Sequence, residues 1–128
     1  MKTLFIGGIK SGKSRLAEDF ILENSDGRLY YLATTEFLDD EMRERIAAHQ
    51  LRREDRFITL EEPIQILQTL ENCTAPVLIE CVSMWLNNML YHENTEDLIV
   101  QELTAVLQLP VNMVFVQNEV GLGVIADN

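Results

Sequence analysis

Apolar positions along this chain fall into two alternating patterns. Short, nearly continuous apolar runs occur at residues 2–6, 29–33, 77–82 and 111–117. Runs of this length, bounded by polar or glycine-containing segments, predict strands buried on both faces. Between them apolar residues recur every three or four positions, which predicts helices over 14–24, 39–54, 63–72, about 83–91 and 95–108. Leu16, Ala17, Phe20 and Ile21 carry that spacing in the first of these. Pro63 suits a first helical turn, where its missing N–H would have no partner anyway. Asn94-Thr95-Glu96-Asp97 reads as a helix start, with two acids near the positive end of the dipole. Alternating strands and helices define an α/β fold with a mostly parallel sheet covered on both faces. Ligands of such sheets gather at the carboxyl ends of the strands. The segments expected on that rim are 7–14, 33–35, 80–81 and 118–119.

The first of these segments carries chemistry. Gly7-Gly8-Ile9-Lys10-Ser11-Gly12-Lys13-Ser14 is G-x-x-x-x-G-K-[ST], the phosphate-binding P-loop pattern. A predicted strand precedes it and a predicted helix follows. In that setting loop amides and the helix N-terminus point at an anion. Gly7 and Gly12 let the backbone approach the phosphates. Lys13 would reach the β- and γ-phosphates, and the Ser14 hydroxyl would hold Mg²⁺. The bland alternative is a glycine turn, and the completeness of the motif in context argues against it. Glu80 closes an apolar strand, a place from which a carboxylate holds Mg²⁺ through water.

Composition narrows the function further. The 128 residues are 47% hydrophobic, enough for one domain with a real core. No apolar run approaches the roughly 20 residues that span a bilayer, so no membrane span is expected. The motif starts so near Met1 that no signal peptide is expected ahead of it. Net charge is −11, which argues against a nucleic-acid-binding surface. No Lys or Arg follows Arg56, so cationic side chains that hold phosphate must come from the first half. Cys73 and Cys81 lack zinc-ligand spacing, which fits a reduced, cytoplasmic protein, with Cys81 expected to be buried packing. Met84, Trp85, Leu86, Met89, Leu90 and Tyr91 read as core, and His92 as an exposed helix end.

A second constellation lies in the predicted helix 39–54. Met42, Ile46 and Ala47 form its apolar stripe, while Arg45, His49, Arg52 and Arg53 share another face. Guanidiniums match phosphate oxygens and favour a neutral imidazole. A neutral imidazole beside a bound triphosphate can attack the α-phosphorus and carry the nucleotide as a phosphoramidate. The same spacing fits a solvated face with pairs such as Glu41–Arg45, and the spacing alone leaves both open.

Taken in order, these residues resemble the bifunctional adenosylcobinamide kinase/adenosylcobinamide-phosphate guanylyltransferase family. The resemblance rests on residues 7–15, Tyr31-Leu32-Ala33-Thr34-Thr35, and Leu38-Asp39-Asp40-Glu41-Met42 with Arg45, Ile46 and His49. Leu78-Ile79-Glu80-Cys81-Val82 with Trp85, Leu86 and Asn88 follows, then Asn118-Glu119-Val120-Gly121-Leu122-Gly123. It implies a RecA-like P-loop domain, cobalamin assembly in the cytoplasm, and a homo-oligomer. It also implies phosphorylation of adenosylcobinamide with ATP or GTP, then GMP transfer from GTP to adenosylcobinamide phosphate. By the resemblance His49 carries the guanylyl group, and Lys13 serves the catalytic phosphates. Nucleotide contacts would come from residues 7–14, Ala33, Thr34, Thr35, Gln50, Leu51, Arg52, Arg53, Glu61 and Glu80, with Mg²⁺ on Ser14 and Glu80. The family pattern adds a helix and a strand after residue 123, so residues 1–128 are expected to form one nucleotide-binding domain lacking those elements. Two other functions share the motif: a plain small-molecule P-loop kinase, and an inactive nucleotide-binding fragment.

Overall fold

The computed structural model describes residues 1–7, 12–35, 44 and 56–118. Five strands form one sheet: β1 Lys2–Gly7, β2 Leu29–Ala33, β3 Phe57–Glu61, β4 Val77–Glu80 and β5 Met113–Asn118. The helices with described bounds are α1 Lys13–Glu23, α2 Ile66–Leu70, α3 Val82–Tyr91 and α4 Glu96–Leu107. Strand order is β1-β5-β4-β2-β3, and every neighbouring pair is parallel. Parallel strands need crossovers, and crossovers are right-handed. The chain moves across the sheet from β1 to β2, then returns through β4 to β5. Opposite directions of travel with one handedness put α1 on one face and α2, α3 and α4 on the other.

The core divides accordingly. Ala17 and Ile21 of α1 pack with Leu29, Tyr31, Phe57, Leu78, Val114 and Val116. On the other face Ile66, Leu70, Trp85, Met89, Ile99 and Val106 pack with Leu32, Val77, Ile79, Met113 and Phe115. Successive residues of β2, β4 and β5 alternate between these clusters, as a period of two requires. Val77, Leu78 and Ile79 of β4 are each at most 1% exposed, and burial of such side chains contributes about 1.5–3 kcal/mol apiece. Thr95 caps α4, its side chain accepting from the Leu98 amide at 3.2 Å.

Several expectations need correction. Phe57–Glu61 forms a strand that the apolar pattern did not separate from its charged surroundings. Pro63 lies ahead of α2 rather than in its first turn; α2 begins at Ile66, and the Glu62 carboxylate accepts from the Ile64 and Gln65 amides at 3.0 and 2.9 Å. The third predicted strand stops at Glu80, because Cys81 takes φ 64° and turns the chain into α3. Cys81 is therefore half-buried at a turn, not packed within a strand. Leu16 is exposed although α1 spacing suggested otherwise, and Leu90 and Tyr91 are exposed at the end of α3. The predicted helix 39–54 lies outside the described residues apart from Glu44, which is helical.

Among the described residues, β1 is covered on one face only. Phe5 packs edge-on against Phe20 of α1, but Leu4 and Ile6 on the opposite face are 56% and 58% exposed. Leu4, Val82, Leu86, Leu103, Leu107 and Phe115 line an apolar groove there.

Candidate nucleotide site

Because all strands run the same way, their carboxyl ends meet along one rim. Gly7 pairs with Asn118, Ala33 pairs with both Glu61 and Glu80, and Glu80 pairs with Val116. Residues remote in sequence are thereby aligned at the sheet edge where α1 starts. Gly7 ends β1; Gly8, Ile9, Lys10 and Ser11 lie outside the described residues. Gly12 is the N-cap of α1 at φ 81°, a left-handed conformation that glycine adopts without penalty. Its carbonyl accepts the first helical bond from the Leu16 amide at 3.1 Å. Lys13 opens α1 and is 6% exposed, and Ser14 follows in the same turn.

Two other described cations bond at the opposite end of the sheet. Lys2 donates to the Leu109 and Val111 carbonyls at 2.8 and 3.0 Å, at the amino end of the sheet. Arg56 donates to the Gly27 and Ser25 carbonyls at 2.7 and 3.1 Å, also at that end. Arg28 immediately precedes β2. Among the described residues, only Lys13 and Arg15 stand in the first turn of the helix that meets the carboxyl rim, and Arg15 is exposed.

Across the rim, Glu80 ends β4, with β5 between it and the motif-bearing β1. Two strand spacings separate their backbones by about 10 Å. Glu80 is half-buried, and the Tyr31 hydroxyl of β2 donates to its Oε2. Tyr31 is itself buried and packs edge-on against Phe57. Nothing in the apolar pattern pointed to Tyr31, since its ring serves the core and only its hydroxyl reaches the rim. Ala33 ends β2, and Thr34 beyond it is 2% exposed, its hydroxyl 3.2 Å from the Glu80 and Cys81 carbonyls. Thr35 follows, half-buried. Glu61 ends β3 and is exposed. The arrangement thus assembles Gly7, Gly12, Lys13, Ser14, Ala33, Thr34, Thr35, Glu61 and Glu80 on one rim. His49, Gln50, Leu51, Arg52 and Arg53 lie outside the described residues. His92 caps the far end of α3, exposed as expected and away from the rim.

An all-parallel sheet whose first strand delivers a complete G-x-x-x-x-G-K-[ST] segment into a helix defines an α/β P-loop protein. The chain belongs, more narrowly, to the CobU family, described as cobinamide kinase / cobinamide phosphate guanyltransferase, whose pattern it matches over residues 3–128. Among curated proteins it is similar to the bifunctional adenosylcobalamin biosynthesis protein CobP of Pseudomonas aeruginosa, at 38% identity over 98% of this chain and 75% of that one. It is also similar to the bifunctional adenosylcobalamin biosynthesis protein CobU of Escherichia coli and that of Salmonella typhimurium. Identity to each is 33%, over the whole of this chain and 80% of theirs. No helix among the described residues is long and apolar enough to cross a membrane.

Proposed function

We propose that this chain uses one bound nucleotide site for two transfers in cobalamin assembly. In the first, the free hydroxyl of adenosylcobinamide attacks the γ-phosphorus of ATP or GTP. The bond between the γ-phosphorus and the bridging oxygen breaks, the diphosphate leaves, and the hydroxyl proton goes to solvent. In the second, an imidazole nitrogen of His49 attacks the α-phosphorus of GTP and pyrophosphate leaves. The phosphate of adenosylcobinamide phosphate then attacks that phosphorus, the P–N bond breaks, and adenosylcobinamide-GDP forms.

The observation that carries this reading is the convergence of Gly12, Lys13, Thr34, Glu61 and Glu80 on the carboxyl rim of a chain that belongs to this family. Lys13 and the loop amides hold the phosphates. Glu80 and Ser14 suit Mg²⁺, which takes one or two protein oxygens together with phosphates and water. That ion would neutralise charge on the transferring phosphates. Arg52 and Arg53 hold phosphate oxygens beside His49. The two cysteines are free thiols, in keeping with work in the reducing cytoplasm. A homo-oligomer is part of the same proposal.

Incubating the protein and adenosylcobinamide with GTP labelled at either the α- or the γ-phosphate tests it. Both labels should reach the corrinoid. Transfer of γ-label without α-label selects a plain small-molecule kinase, and GTP binding with neither transfer selects an inactive nucleotide-binding fragment.

A further inference from the structure

α3 contains a buried amide that its apolar neighbours do not explain. Asn88 is 3% exposed and sits between Trp85 and Met89, both core residues. Burying an amide without partners costs on the order of 2–7 kcal/mol, so its hydrogen bonds define what it is for. Its Nδ2 donates to the Thr34 carbonyl at 2.7 Å and to the Pro63 carbonyl at 3.0 Å. Both partners are acceptors, so only the NH₂ side of the amide can face them. One side chain thereby joins the segment leaving β2 to the segment leaving β3. One turn earlier, Trp85 Nε1 donates to the Ile64 carbonyl at 2.8 Å and anchors the second segment again.

The connection extends to β4. The buried Thr34 hydroxyl lies 3.2 Å from the Glu80 and Cys81 carbonyls, while the Thr34 carbonyl is held by Asn88. The Glu62 amide donates to the Ala33 carbonyl at 3.0 Å, closing the link between β2 and β3. The three rim segments carrying Ala33-Thr34-Thr35, Glu61 and Glu80 are thus fixed relative to one another through Thr34 and Asn88. Parallel pairing holds the strands themselves, but it ends at Glu61 and Glu80. Beyond those residues the clamp sets where the rim backbone lies.

We infer that Asn88 is a positioning residue for the nucleotide. It touches no reacting atom in this account; it holds the β2 and β3 rim segments in the spacing that GTP and its phosphates require. The inference rests on the nucleotide site proposed above. Displacing a binding segment by about 1 Å costs on the order of 100-fold in rate, so loss of the clamp should register in turnover before it abolishes folding.

The test compares Asn88→Asp and Asn88→Leu with Met89→Ala, which loosens the same helix through the core alone. Each is measured for GTP affinity by titration with a fluorescent GTP analogue, for kcat and KM of guanylyl transfer, and for thermal midpoint. Asn88→Asp keeps the shape but turns a donor into an acceptor facing two carbonyls. The expected result is a roughly 10–100-fold loss in kcat/KM for GTP in both Asn88 variants, with KM for the corrinoid unchanged. Met89→Ala should lower the midpoint and leave GTP affinity alone. Asn88 variants that melt earlier yet bind and turn over GTP normally overturn the positioning role, as does an equal GTP defect in Met89→Ala. Hydrogen exchange on the native protein covers variants that do not fold: GTP should slow the amides of Ile64 and Gln65, and unchanged exchange there overturns the clamp. A native protein that fails to bind GTP in the same titration overturns the nucleotide site itself, and the clamp with it.

Discussion

Two glycines separate the P-loop's conformational demand from ordinary strain. Gly12 has φ 81° and Gly27 has φ 75°, and among the described residues a Cβ built at either meets no atom within 4 Å beyond its own chain neighbours. Alanine at either position therefore incurs the left-handed penalty alone, about 1–2 kcal/mol. For a domain of this size that lowers the melting midpoint by roughly 3–10 °C. The two sites differ in place: Gly12 caps α1 at the carboxyl rim, whereas Gly27 precedes β2 and its carbonyl accepts from Arg56 at 2.7 Å. At Gly12 the same strain competes with nucleotide binding. A backbone that relaxes out of the left-handed region would re-aim the Lys13 amide at the start of α1, where the proposed phosphate site lies. If relaxation recovers the full 1–2 kcal/mol, the competent fraction falls to about 0.03–0.2 and apparent Kd for GTP rises about 5–30-fold. Gly27→Ala should lower stability equally and leave Kd unchanged. Thermal melts and titration with a fluorescent GTP analogue read both quantities. A Gly12→Ala variant that binds GTP as the native protein does, or a Gly27→Ala variant that loses GTP equally, rules out a special role for Gly12 in nucleotide binding.

Two further outcomes are expected. Glu80→Gln keeps the side-chain shape and removes the charge, so phosphoryl transfer should fall about 10–100-fold and recover partly at raised Mg²⁺; activity indifferent to Mg²⁺ in the variant counts against Glu80 as a metal partner. Burial pushes the Cys73 thiol above its usual range, which leaves less thiolate at any pH below the raised value. Iodoacetamide at pH 8 should therefore label the half-buried Cys81 first, and GTP should slow that labelling because Cys81 adjoins Glu80; peptide mapping that finds Cys73 labelled first contradicts this.

Much of the architecture was legible from periodicity because burial on both faces imposes it. β2 was delimited at both ends by its apolar run, and α4 by its Thr95 cap and acidic first turn. β3 escaped because it is an edge strand: Ile58 is 37% exposed, and the run from Phe57 to Glu61 mixes apolar and polar residues. Pro63 misled because a proline is as comfortable just before a helix as inside its first turn; here Glu62 supplies the turn's hydrogen bonds. The P-loop pattern is readable in the sequence because it depends on residue types at fixed spacing, and the structure sets its two flanks, β1 and α1, on either side of it. The place of Glu80 near the end of a strand was readable from the apolar run around it. Tyr31 and Asn88 were not assigned roles from pattern, because each belongs to the core by position and reaches the rim through one polar group. Their partners are 49, 54 and 25 residues away, a relation that only the sheet order creates.

The proposed function turns on attack of the bound nucleotide at its α-phosphate as well as its γ-phosphate. Incubating the native protein with α-labelled GTP and Mg²⁺, without corrinoid, isolates the α-phosphate step. The expected result is a protein-bound label that is acid-labile, alkali-stable and absent from His49→Ala, with loss of the label on adding adenosylcobinamide phosphate. A label that persists in His49→Ala, or native protein that binds GTP and acquires none, contradicts it.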